Sequence, residues 1–257
     1  MNGRLKFGWM LVAIFFFGTY GLMDALAALA AGKSPESAGR GPVAQAASMG
    51  GGVISGKVTL SSAAPATQKI KMAADPICLQ QHKDAVMSQE VVANGGAIQY
   101  ALVYVKDGIS GSFPAPAEAV TLTQHGCLYE PHVFGIQVGQ KLEIVNDDAT
   151  LHNVNCQAKS NKKFNIAQPT KGMKSVKTFD QPEVGFPLKC NVHPWMAAWG
   201  GVFSHPFFAV TDSNGSFTLK GLPAGTYTVE VWQEKLGTKS QSVQVADGET
   251  KQVSFAL

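Results

Sequence analysis

The chain has 257 residues, 45% of them hydrophobic and 15% charged, with a formal net charge of +3. That length suits one large or two small domains with a buried core. Arg4, Lys6, Lys33 and Arg40 outweigh Asp24 and Glu36, so beyond residue 50 the net charge is only about +1. A body so close to neutral argues against nucleic-acid binding, which needs a clustered basic surface. The low charge fraction excludes a largely disordered protein. The 27 glycines follow no fixed period, so the chain is not collagen-like.

At the N-terminus, Arg4 and Lys6 precede the apolar run Phe7 to Leu22, and Ala25-Leu26-Ala27-Ala28-Leu29-Ala30 follows. A basic start, a short apolar stretch and A-x-A sites describe a signal peptide over residues 1–30, or a membrane anchor if it is retained. Either places the remainder in the periplasm or otherwise outside the cytoplasm, where disulfides persist. Residues 31–51 are rich in Ala, Gly, Ser and Pro and hold no aromatic residue, as expected of a flexible linker.

From Val53 onward the pattern is β. Short alternating apolar runs recur between Gly, Asn, Asp and Pro, as in Val53–Leu60, Ala101–Val105, Phe134–Val138, Lys141–Val145 and Thr226–Trp232. One short helix is expected to start at Asp75-Pro76, with Asp as N-cap and Pro in the first turn, and to run towards His82. Near the C-terminus, Phe208–Thr211, a turn at Asp212-Ser213-Asn214-Gly215 and a strand through Phe217 and Leu219 form a hairpin. The chain then turns again at Gly221–Gly225. The predicted class is all-β, built of β-sandwiches.

Chemistry concentrates between residues 119 and 205. Leu151-His152-Asn153-Val154 ends one predicted strand. Cys190-Asn191-Val192-His193-Pro194-Trp195-Met196 forms a C-x2-H-x2-M loop between two others. Thiolate and thioether are soft donors and imidazole suits copper; two His, one Cys and a weak axial Met make an electron-transfer copper site. Magnesium and calcium would need oxygen donors, and structural zinc would favour more cysteines and no methionine.

Residues 119–205, with V-G-x-x-L and H-N-V strings and the seven-residue Cys190–Met196 loop, resemble the cupredoxins, especially the short amicyanin-type and plastocyanin-like ligand loops. The string TDSNGSFTLKGLPAGTYTVEV resembles the carboxypeptidase-regulatory-like (prealbumin-like) sandwich, whose opening strands look like Gly52–Val58 and Leu102–Val105. The combination is similar to methylamine-utilisation-type periplasmic proteins. The resemblance implies a Greek-key cupredoxin domain over 118–205, inserted into a discontinuous regulatory-like sandwich of 52–117 and 206–257. The competing division is one large sandwich followed by a separate C-terminal module. The resemblance further implies one mononuclear copper ion held by His152, Cys190, His193 and Met196, with Met196 the weak axial ligand and Asn153 bracing the loop by hydrogen bonds.

Four cysteines allow three connectivities. With Cys190 on metal, Cys78 and Cys127 are the expected disulfide and Cys156 is left free; a Cys156–Cys190 bridge would instead abolish the site. His82, His125, His132 and His205 read as surface residues, and Asp147-Asp148 as a turn. His193 is expected to be the ligand nearest solvent, with Pro194 and Trp195 as a docking patch for a redox partner protein. The expected function is an exported type 1 (blue) copper protein that transfers single electrons and is not an enzyme. The membrane enters only through an uncleaved anchor. The alternatives are a non-redox scaffold with a vestigial cupredoxin fold, or a copper capture and delivery protein.

Overall fold

The computed structural model describes residues 51–257. The expected signal or anchor, and the linker as far as residue 50, lie outside the described residues. In chain order the elements are β1 (Gly52–Thr59), α1 (Pro76–Gln80), β2 (Val92–Asn94), β3 (Ala97–Gln99), β4 (Leu102–Asp107), β5 (Val120–His125), β6 (Leu128–Glu130), β7 (Val133–Gln137), β8 (Leu142–Asn146) and β9 (His152–Cys156). There follow β10 (Phe164–Gln168), β11 (Lys174–Lys177), β12 (Glu183–Lys189), β13 (Ala197–Phe203), β14 (Phe208–Val210), β15 (Ser216–Leu222), β16 (Gly225–Gln233), β17 (Gly237–Val245) and β18 (Thr250–Ala256). The class is all-β. Among the described residues no helix is long and apolar enough to cross a membrane.

The strands form four sheets around three apolar clusters. One sheet runs β15-β1-β3-β2, with β18 also on β1; another runs β14-β4-β16-β17. Ile54, Val58, Val103, Val105, Phe217, Leu219, Val229, Val231 and Phe255 fill the space between these two. Strands from residues 52–107 thus share sheets with strands from the last fifty residues. The tie is close: β1 lies antiparallel to β15 and parallel to β18. A Cβ at Gly56 would come within 1.6 Å of the Val253 carbonyl oxygen.

The other two sheets run β10-β9-β12-β13-β7 and β11-β8-β5-β6. Their facing side chains include Leu122, Ile136, Leu142, Ile144, Val154, Phe186 and Leu188. In β8, Leu142, Ile144 and Asn146 point inward and Glu143 and Val145 are partly open, the period-2 pattern of a half-covered strand. Met72 and Cys78, from the segment around α1, belong to this cluster and not to the first. Strand β4 is buried on both faces. Val103 and Val105 enter the first core, while Leu102 and Tyr104 meet Val133 and Phe203 in a junction cluster with Trp199, Phe208 and Trp232 packed against it.

Two histidines expected at the surface are buried in structural roles. His132 pairs with Glu234 at 2.5 Å, both nearly without solvent contact. His205 Nε2 lies 2.9 Å from the Val105 carbonyl oxygen. Burying a ring nitrogen is tolerable when a partner replaces water, and in both cases the partner comes from a segment about a hundred residues away.

The β1–β18 contact yields a test. Gly56→Ala forces a methyl group into the Val253 carbonyl, and such overpacking costs about 1–3 kcal/mol or more. Urea unfolding should show that loss in the wild-type comparison, whereas Gly95→Ala, in open space but at positive φ, should cost less than Gly56→Ala.

Candidate metal centre

The site is built where β9, the β12–β13 loop and α1 meet. His152 opens β9, whose register against β10 and β12 is fixed by pairs such as Cys156↔Phe164 and Cys156↔Leu188. Cys190 and Met196 close their loop on each other, Cys190 N–H donating to the Met196 carbonyl at 3.2 Å and Met196 N–H to the His193 carbonyl at 2.9 Å. Ligand atoms of His152, Cys190 and His193 all lie within 4.8 Å of one another, and all three residues are buried. Met196 is buried at the end of the same loop.

Two carboxylates set the directions of the rings. His152 Nε2 is 2.8 Å from Asp148 Oδ2, and His193 Nε2 is 2.9 Å from Asp75 Oδ2. A carboxylate only accepts, so each Nε2 carries the proton and each Nδ1 keeps its lone pair. The two Nδ1 atoms face each other at 3.0 Å, and Cys190 Sγ is 3.8 Å from His193 Nδ1. Lone pairs so placed repel unless a proton or a metal ion lies between them. Donors around a tetrahedral ion with bonds of about 2.0–2.3 Å stand about 3.3–3.8 Å apart; the Cys190–His193 gap of 3.8 Å falls in that range, and the two imidazole nitrogens at 3.0 Å would part slightly to admit one small metal ion. Its softness, one thiolate and two imidazoles with a thioether at hand, fits copper.

Each brace is held in turn. Asp148 accepts N–H bonds from Gly126 at 2.9 Å and Cys127 at 2.8 Å. Both donors sit at positive φ, in the two-residue turn between β5 and β6, the backbone that a tight hairpin of this length needs. Burial pushes the Asp148 carboxyl up, but His152 and these two N–H groups outweigh it and hold it below the usual carboxylate range. Asp147-Asp148 has the composition of a turn, but Asp148 is a fully buried partner of His152. The signal was present, since a carboxylate four residues before a ligand histidine can fold back on it across the loop. Asp75 has two duties. Its Oδ1 caps α1, accepting from Ile77 and Cys78 N–H, while its Oδ2 takes His193 and Thr150.

Asn153 Oδ1 accepts from Asn191 N–H at 2.6 Å and lies 3.5 Å from Cys190 Sγ, tying the loop to β9. Burial raises the Cys190 thiol, but the hydrogen bond with His152 and the backbone of Asn153, His193 and Val192 outweigh it and bring it down to about 6. At Cys156 burial outweighs the one backbone hydrogen bond from Ala158 and pushes the thiol up to about 11, so it behaves as a small hydrophobe. Cys78 and Cys127 form a disulfide, and Cys156 and Cys190 are free.

One expectation is overturned. His193 is not the open edge of the site: it is 2% exposed. The segment carrying α1 lies across it, with Asp75 on Nε2 and Cys78 Sγ at 3.6 Å. Pro194 is exposed and Trp195 half-buried. The Trp195 indole N–H donates to the Cys127 carbonyl at 3.0 Å, and its ring lies 5.1 Å from that of His193.

Residues 204–257 match the family model of the carboxypeptidase regulatory-like domain. Solved structures with similarity include a copper-containing nitrite reductase (NirK) from Thermus scotoductus SA-01, 24% identical, TM-score 0.31, covering 39% of this chain and 25% of that one. A purple cupredoxin from Nitrosopumilus maritimus is 22% identical, TM-score 0.29, covering 33% of this chain and 99% of its own. An oxidised amicyanin variant is 23% identical, TM-score 0.30, covering 33% and 82%. This chain therefore spans a quarter of the nitrite reductase. No curated protein matches. The site is read from its own donors.

Two measurements check this geometry. Asp148→Asn removes the negative charge that holds the His152 tautomer and puts an N–H where one acceptor oxygen stood, and copper affinity in a chelator competition should fall about 10- to 100-fold. In the metal-free protein, thiolate absorbance should rise with a midpoint near pH 6, and His152→Ala should move it up towards the ordinary 9.0. Because the folded thiol titrates below its unfolded value, its contribution to stability is complete above pH 9.0 and is lost as pH falls through about 6.

Proposed function

We propose that this is an extracytoplasmic mononuclear copper protein that exchanges single electrons with a redox partner protein and acts on no substrate of its own. The observation that carries this is the convergence of Cys190 Sγ with two carboxylate-braced imidazoles whose Nδ1 atoms face each other at 3.0 Å. His152, Cys190 and His193 would hold the ion, with Met196 as the weak axial donor. Bound copper would supply one-electron exchange between Cu(I) and Cu(II). The strands on either side hold the donors nearly fixed, and Asn153 pins the loop, which keeps rearrangement between the two states small.

We read the chain as two sandwiches. Residues 118–205 carry the metal; residues 52–117 and 206–257 form the regulatory-like one, with the α1 segment of the former laid over the site. In an exported protein of this kind the Cys78–Cys127 bridge forms and persists unless a dithiol reductant reaches it.

With His193 covered, the way out for an electron is Trp195. It borders a cleft of about 700 Å³ that is also lined by Pro194, Trp199, Lys69, Lys71 and Lys189, with Lys235 paired to Glu90 at its edge. Lysines at the rim would steer an acidic partner. The cover over His193 weighs against the alternative of copper capture and delivery, because a closed site exchanges metal slowly and delivery needs release.

The visible spectrum decides. Cu(II) added to the purified protein should give an intense thiolate-to-copper band that bleaches with reductant and is absent in Cys190→Ser; no band would refute the copper reading. Trp195→Ala should slow electron exchange while leaving that band in place, and unchanged exchange would exclude Trp195 as the port.

A further inference from the structure

The disulfide over the site has a feature that fold stability alone does not require. The sulfurs of Cys78 and Cys127 and a ring nitrogen of His193 lie within 4.8 Å of one another, all three residues buried. Cys78 Sγ is 3.6 Å from His193 Nε2, the nitrogen on the side away from Cys190 and His152 Nδ1. His193 therefore stands between two sulfur groups, Cys190 towards one edge of the ring and the Cys78–Cys127 pair towards the other.

We propose that the reduced Cys78–Cys127 pair forms a second metal site, specific for Cu(I), with His193 Nε2 as third donor. An external dithiol gives two electrons and two protons to the sulfur–sulfur bond and leaves as its own disulfide, so both cysteines become thiols. Cu(I) then binds both sulfurs as thiolates and the two thiol protons leave to solvent. Where His193 already holds an ion through Nδ1, the Nε2 proton, now given to Asp75, leaves as well.

The donors select the ion. Two thiolates and an imidazole in a buried pocket are soft, and soft sets favour Cu(I) over hard cations. Cu(I) is satisfied by two or three such donors and needs no water. The pair is reachable despite its burial. Helix α1 is a single turn of five residues, with Ile77 40% and Leu79 53% exposed. A helix so short has no stability of its own, and local opening of such segments lies far below global unfolding. Cys78 is carried on that turn, whereas Cys127 is anchored by the bond from its N–H to Asp148. Reduction thus frees the mobile partner and leaves the other in place.

The proposal shares His193 with the copper reading above but does not depend on Cys190, and the test separates the two. Full-length protein is prepared oxidised, and reduced with excess dithiothreitol that is then removed without air. Cu(I) is titrated against a chromogenic chelator. The oxidised protein should bind one ion and the reduced protein two, with Cys78→Ser/Cys127→Ser held at one after either treatment. Cys190→Ser, which keeps the native disulfide, should bind none when oxidised and one when reduced, so the result stands even if the double variant fails to fold. Equal stoichiometry before and after reduction overturns the second site, as does an extra ion that persists in Cys78→Ser/Cys127→Ser. An oxidised wild type that binds none, with a reduced one that binds one, removes the first site and keeps the second.

Discussion

The pairing of each imidazole Nε2 with a carboxylate, buried at Asp148 and partly exposed at Asp75, is the interaction on which the centre depends. It places a proton on the ring nitrogen turned away from the centre and leaves the lone pair of Nδ1 facing into it. Without Asp148 and Asp75 the rings of His152 and His193 could present either nitrogen, and the 3.0 Å approach of the two Nδ1 atoms would have no reason to persist. The carboxylates are affordable in the interior because each is saturated with donors: two backbone N–H groups besides the ring for Asp148, and the helix cap and Thr150 for Asp75.

The same pairings explain how distant parts of the chain become one site. Asp148 fastens the end of β8 to the turn between β5 and β6, and so holds Cys127. Cys127 is bonded to Cys78, which lies in the first turn of the helix that Asp75 caps. Asp75 returns to His193 and closes the circuit. Around it, two sheets packed on Ile144, Val154, Phe186 and Leu188 supply a rigid frame, and the second pair of sheets is joined to it through Leu102, Tyr104, Val133 and Phe203.

Much of this was written locally. Alternation in Lys141–Val145 and Thr226–Trp232 foretold strands, Asp75-Pro76 foretold the helix cap, and the C-x2-H-x2-M spacing foretold which donors share a loop. What depended on distance was hidden. Nothing near His193 announces Asp75, which is 118 positions away, so the ring was expected at the surface. His132 looks like any polar residue until Glu234 arrives from 102 positions on. Asp148 was legible in principle, but a carboxylate after Asp147 in a polar stretch has the composition of a turn, and only the folded loop shows it turned inward. The cysteine pairing followed from which thiol the loop left over, not from any contact that the sequence could display.

Strand β1 has consequences for the order in which the chain matures. It is among the first strands made, yet its neighbours β15 and β18 come from residues 216–256. Until the ribosome has delivered Thr250–Ala256, one whole edge of β1 stays bare, while every strand of the two sheets that carry His152 and frame the Cys190–Met196 loop has already been synthesised. Pairings across some two hundred residues form slowly because the intervening loop must close first. The sheets around His152 and Cys190 can therefore assemble while the sheet of β1 still waits for its last strand, and a chain cut short before Thr250 would carry a β1 edge open to pairing with another molecule.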